Sequence, residues 1–147
     1  MSKIIESLPA DFEHCISLNL RKANRVMSQI YDHYLSKCHL KGTQFSILRA
    51  TYLLKKTTNK ELQDILVLDQ TTLSRNLKPL VRDGFIITQE GEDRRIKELA
   101  LTKQGHKLFN IAEQQWALAQ AEVKNKLGTK NTDLLHSLSE VIVNLKE

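Results

Sequence analysis

The sequence predicts a mainly α-helical protein carrying one small β-hairpin, with long helices towards both ends. Three observations predict it. Only five glycines and two prolines punctuate 147 residues, so long helices with few turns are expected. Apolar residues recur at spacings of three and four through most of the chain. One stretch, from Phe85 to Leu101, instead splits into two short β-like runs around a charged tip.

Composition sets the class. An apolar share of 41% and a charged share of 27% describe one folded domain with a full core, and exclude a disordered chain. No run approaches the roughly 20 apolar residues that span a membrane. The opening Met1-Ser-Lys-Ile-Ile-Glu-Ser7 lacks the basic start, apolar stretch and cleavage site of a signal peptide. A cytoplasmic location is therefore expected, with Cys15 and Cys38 as free thiols. The net charge of +5 and pI near 9.2 suit an anionic partner.

From Asp11 to Leu35 no glycine or proline intervenes, and Phe12, Cys15, Ile16, Leu20, Ala23, Met27, Ile30, Tyr31, Tyr34 and Leu35 line one face of a single predicted helix. Residues Cys38 to Gly42 read as a turn, after which Thr43 is expected to cap a helix reaching about Leu54. Thr58-Asn-Lys-Glu61 has the form of a capping box and opens a short helix bearing Leu62, Ile65 and Leu66. Asp69 is placed to cap the next helix, with Leu73, Leu77, Leu80 and Val81 on its apolar side and Gly84 closing it. Pro79 lies inside that helix, removes one hydrogen bond and is expected to kink its last turn. The runs Phe85–Glu90 and Ile96–Leu101 form the hairpin. Thr102 caps a long helix ending near Gly128, and a last helix from about Lys130 carries Leu134, Leu135, Leu138, Val141, Ile142 and Leu145.

The order helix, short helix, tight turn, helix, hairpin between residues 43 and 102 is that of a winged helix-turn-helix, which can present its second helix to a DNA major groove. Opposite the apolar side of that helix stand Gln70, Thr71, Thr72, Ser74, Arg75 and Lys78. Amide, hydroxyl and guanidinium groups read base edges, while lysine and threonine suit phosphates. No acidic residue follows Asp69 on this stripe. The hairpin tip, Asp93-Arg94-Arg95, sets two guanidinium groups on a narrow projection, where arginine exploits the negative minor groove. Asp93 opposes phosphate unless it holds Arg95, which side chains at i and i+2 on one strand face permit.

The segment from Gly84 through Asp93-Arg-Arg95, followed by Leu99-Ala-Leu-Thr102-Lys-Gln-Gly105, resembles the wing signature of the MarR family of bacterial transcription regulators. Upstream, Thr58-Asn-Lys-Glu-Leu-Gln-Asp-Ile-Leu66 and Asp69-Gln-Thr-Thr-Leu-Ser-Arg-Asn-Leu-Lys-Pro-Leu80 resemble its two helix-turn-helix segments. The resemblance extends over nearly the whole chain. It implies that Arg95 enters the minor groove, that Asp93 orients it, and that Gln70, Thr71, Thr72, Ser74 and Arg75 face the major groove. It also implies a homodimer joined by the terminal helices (11–40 and 103–147) around a DNA-binding lobe (41–102), most often a repressor. Pro79 departs from the usual pattern of that helix and bears on the direction of Lys78 and Arg82.

The stripe on the final helix independently favours a dimer, because apolar surface of that extent is unusual on a monomer. A two-fold dimer implies a palindromic operator with half-sites about 34 Å apart. The family's usual effectors, small aromatic or amphipathic acids, would find Tyr31, Tyr34, Trp116, Arg21 and Arg25 as candidate pocket residues. Cys15 lies where some family members sense peroxides, beside Glu13 and His14, so a redox-sensing repressor is one alternative reading. A transcriptional activator and a protein-docking module that never touches DNA are the others. Histidines 14, 33, 39, 106 and 136 have no ligand spacing, and no phosphate loop or nucleophile elbow is present. No cofactor, no metal and no catalytic activity are expected.

Overall fold

The computed structural model, which describes residues 8–146, contains six α-helices and a three-stranded sheet, with the expected helix, short helix, helix and hairpin order preserved between residues 43 and 102. Residues 1–7, on which the reading of the N-terminus rests, and Glu147 lie outside the described residues. The helices are α1 (Ala10–Glu13), α2 (Ile16–Leu35), α3 (Gly42–Leu54), α4 (Asn59–Leu66), α5 (Gln70–Arg82) and α6 (Lys103–Val143). The strands are β1 (Thr57–Thr58), β2 (Ile86–Glu90) and β3 (Lys97–Leu101).

The first helix is not continuous. It breaks at His14 and Cys15, where Cys15 takes an extended ψ of 110° at the start of α2. The Asn19 side-chain amide donates to the Glu13 carbonyl at 2.8 Å across the break, satisfying an acceptor that the broken ladder exposes. The second departure lies at α3, which starts one residue before Thr43. Lys41 is the capping position, and its N–H donates to Gln44 Oε1 at 3.0 Å. The Gly42 N–H donates to Asp32 Oδ1 of α2 at 2.7 Å, so a neighbouring helix supplies the cap.

The other termini follow the sequence. Thr58 and Glu61 form the reciprocal box, with the Thr58 N–H donating to Glu61 at 2.8 Å and the Glu61 N–H to Thr58 at 3.2 Å. Three bonds to one carboxylate hold Glu61 below the usual carboxylate range, that from the Thr58 backbone foremost. Asp69 and Thr102 cap α5 and α6. Gly84 has a φ of 79° just after α5, in the left-handed region that glycine enters without a Cβ clash. Gly128 interrupts the long α6 run with φ 76° and ψ 162°.

The sheet has order β1-β3-β2 and is antiparallel throughout. Ile86 faces Leu101 and Glu90 faces Lys97, so the two runs form the expected hairpin. Strand β1 has no counterpart in the sequence reading. It pairs Thr57 with Leu99 and Thr58 with Glu98, too short a run to show period-two patterning.

The core lies where α3, α4, α5, β3 and the first half of α6 meet. Leu48, Leu62, Leu73, Leu80, Ile86 and Phe109 are buried there, and Phe45 stacks on Phe109 at 6.1 Å. Val81, expected on the apolar face of α5, is exposed instead. On the other flank, α2 is tied to α6 through Tyr31 to Gln120 and through Tyr34 Oη, which donates to Glu122 at 2.6 Å. The limb beyond Gly128 differs: Leu134, Leu135, Leu138, Val141 and Leu145 are all exposed, Val141 at 61%.

Candidate nucleic-acid interface

Helix α5 is anchored before it can present anything. Leu73, Leu77 and Leu80 are buried beneath it. Asp69 Oδ1 accepts from the Thr72 N–H and Oδ2 from the Thr72 hydroxyl, each at 2.7 Å. These bonds, the backbone one foremost, hold the Asp69 carboxyl below its usual range. Gln70, Thr71, Ser74, Arg75 and Lys78 are exposed, together on the side away from the core. Thr72 stands apart from them, half-buried with its hydroxyl committed to the cap. Asn76, absent from the sequence-based set, donates to the Thr72 carbonyl at 2.9 Å.

The hairpin tip is locked by a turn rather than by a shared strand face. The strands end at Glu90 and resume at Lys97, leaving Asp93 and Arg95 between them. The Ile96 N–H donates to the Asp93 carbonyl at 2.9 Å, and the Gly91 N–H to the Ile96 carbonyl at 3.0 Å. Asp93 Oδ1 accepts the Arg95 backbone N–H at 3.0 Å and Nε at 3.2 Å, while Oδ2 accepts Nη2 at 3.0 Å. The Arg95 side chain keeps 89% exposure. The guanidinium, followed by the backbone N–H, lowers the Asp93 carboxyl below its usual range. Arg94 is exposed beside it. The result is an arginine fixed in direction and open to solvent, so less side-chain freedom remains to be lost on binding.

The base of the hairpin explains the Leu-Thr-x-x-Gly pattern. The Thr102 N–H donates to the Phe85 carbonyl at 3.1 Å, and its hydroxyl donates to the Gly84 carbonyl at 2.6 Å while accepting the Gly105 N–H at 3.0 Å. A Cβ on Gly105 would lie 2.0 Å from the Phe85 carbonyl oxygen, so the helix meets the strand only if that residue is glycine. From the other edge, Lys56 pairs with Glu98 at 3.5 Å.

Between this lobe and α2 lies a hollow of about 500 Å³ lined by Tyr31, Asp32, Arg49, Leu66, Asn76 and Trp116, among others. The Arg49 guanidinium sits 4.2 Å from the centroid of the Trp116 ring. Tyr31 and Trp116 of the candidate pocket residues line this hollow; Tyr34, Arg21 and Arg25 do not. Sequence inspection missed Arg49 because its partner is 67 positions away. Cys15 is exposed, whereas Cys38 is half-buried, and burial pushes the Cys38 thiol pKa up. Among the described residues no cluster of ligating side chains could hold a metal, and no helix is long and apolar enough to cross a membrane.

Comparison with known proteins agrees with this geometry. The sequence signature of the MarR family matches residues 40–97. The chain is 27% identical over 90 residues to YwoH of Bacillus subtilis, an uncharacterized HTH-type transcriptional regulator; the match covers 61% of this chain and 66% of that protein, a little under two thirds of its length. It is similar to the Mycobacterium tuberculosis transcriptional regulator MosR solved in complex with DNA, at 32% identity and TM-score 0.71, over 87% of this chain and 98% of that one. It shares its fold with a mutant of MarR from E. coli complexed with operator DNA, at 23% identity and TM-score 0.79, over 89% and 96% of the two chains.

Proposed function

The chain belongs to the MarR family of regulators, and from that premise we propose that it is a transcriptional regulator binding double-stranded DNA sequence-specifically. The observation that carries this reading is the Asp93–Arg95 lock, which spends an exposed carboxylate on aiming an exposed guanidinium. Arg95 enters the minor groove with Arg94 beside it. Gln70, Thr71, Ser74 and Arg75 read the adjoining major groove, Lys78 meets phosphate, and Thr72 acts through its methyl and its cap.

Residues 41–102 form the DNA-binding lobe, and 11–40 with 103–147 the dimerisation helices. The occupant of the exposed limb is a second copy, so the protein meets a pseudo-palindromic operator as a homodimer in the cytoplasm. It acts as a repressor relieved by an effector. The Trp116 hollow suits that effector as a small aromatic acid, its ring against Trp116 and its carboxylate on Arg49. This is regulation by binding, with no catalytic step.

The test is selection of operator fragments from a genomic library by the purified protein, with two variants in parallel. Arg95→Ala lowers operator affinity at least about tenfold, the scale of one lost charge-assisted contact. Asp93→Ala lowers it less, because the arginine remains but is no longer aimed. Equal operator binding by all three proteins would sink the proposal.

A further inference from the structure

The hairpin acts as a lever. Strands β2 and β3 have five residues each and reach about 17 Å. A tilt of about 10° at the base therefore carries the tip about 3 Å, the length of a hydrogen bond. Strand β1 supports this lever only as far as Thr58, opposite Glu98. Beyond that point the hairpin is a two-stranded ribbon, a form of marginal stability on its own.

Glu98 stands at that point and reaches from β3 towards both neighbours. On one side its carboxylate meets Lys56, the residue before β1, at 3.5 Å. On the other its stem crosses Gly91, the residue after β2. A Cβ on Gly91 would lie 3.2 Å from Glu98 Cγ and 3.0 Å from the Ile96 carbonyl oxygen. The Glu98 side chain is only 24% exposed.

Lys56 is itself held in place. Lys55 has φ 64° and ψ −48°, and the Lys56 N–H donates to the Leu54 carbonyl at 2.7 Å. That is a γ-turn of the rare, strained hand. Just beyond it, the Thr57 hydroxyl donates to Glu61 at 3.1 Å and Thr58 caps α4. The segment bearing Lys56 thus belongs to the helix-turn-helix frame.

We propose that Glu98 is a positioning residue for the wing, braced between Lys56 and Gly91 so that the hairpin keeps one angle to α5. Arg95 and the residues of α5 then meet the minor and major grooves in one register. The proposal rests on the DNA-binding reading above, and Glu98 itself touches no DNA. Electrostatics alone assigns the opposite sign. A carboxylate beside a DNA-binding surface repels phosphate, so its removal tightens binding. Loss of a brace weakens it.

The experiment measures affinity of the full-length protein for the operator fragment that the wild type selects, by fluorescence anisotropy. Glu98→Gln lowers affinity about threefold to fivefold, the scale of one partly exposed ion pair. Gly91→Ala lowers it to a similar extent with no change of charge, and Gly91 has no positive φ that alanine would strain. The decisive readout is coupling. In an Arg95→Ala background, Glu98→Gln changes affinity by less than about twofold, because the arginine it aims is gone.

Two results would overturn the brace. Glu98→Gln could bind the operator as tightly as the wild type or more tightly, or its loss could be equally large without Arg95. Either result, with the operator bound by the wild type and weakened by Arg95→Ala, falls on the brace alone. Failure of the wild type to select any operator overturns the DNA-binding reading and the brace with it.

Discussion

Leu73, Leu77 and Leu80 on α5 and Leu134, Leu138 and Val141 on α6 recur at the same spacings, yet the first three are buried and the second three exposed. Periodicity identifies an apolar face and is silent on what covers it. Helix α5 is short and flanked by turns, so the chain folds α3, α4 and β2 back onto it. Among the described residues no element folds back over the limb beyond Gly128, and its apolar side chains stay exposed. Local chain reversal covers the apolar face of α5; without it the face of the limb stays open to solvent.

Truncation breaks this comparison most forcefully in the core. Leu73→Ala lowers stability by about 2–5 kcal/mol, since Leu73 is 1% exposed and its loss leaves a cavity. Its thermal midpoint moves by the same amount at every protein concentration. Leu138→Ala, at 50% exposure, shifts the folded monomer little and raises the dimer dissociation constant about tenfold. Sedimentation across a dilution series separates the two, and a Leu73→Ala shift whose size varied with protein concentration would erase the contrast.

The smallest effect concerns the hairpin tip. Because the Asp93 carboxyl titrates below its unfolded value, the lock contributes fully above that value and is lost as pH falls through the folded one. The Arg95 Nε–H resonance therefore stays fixed between about pH 8 and pH 5 and moves only below about pH 4, the ordinary carboxylate range. Movement near neutrality would mean that another group holds the arginine.

The features legible in the sequence are those decided by neighbours in the chain. The Thr58–Glu61 box, the Asp69 and Thr102 caps and Gly84 each depend on residues within a few positions, and each stands as expected. What escaped depends on distant partners. The α3 cap comes from Asp32, ten positions away; β1 exists only because β3 lies beside it; Arg49 finds Trp116 across the fold. The break at Cys15 escaped for another reason, because apolar spacing runs through it undisturbed. The pairing of Asp93 with Arg95 was legible, but its cause was not, since a tight turn and a strand both bring i and i+2 together.

Gly128 lies in a backbone region that glycine alone holds comfortably, yet a side chain added there would meet no atom within 4 Å. Alanine at this position has room but the wrong angles, and its cheapest adjustment is a return to helical ones. Lys103–Val143 would then become one unbroken rod about 60 Å long. An apolar stripe that meets its own image across a two-fold axis stops at two copies. Carried off that axis on a straight rod, the same stripe can join molecule to molecule without closing. In the proposed dimer, this one bend sets whether self-association has an end.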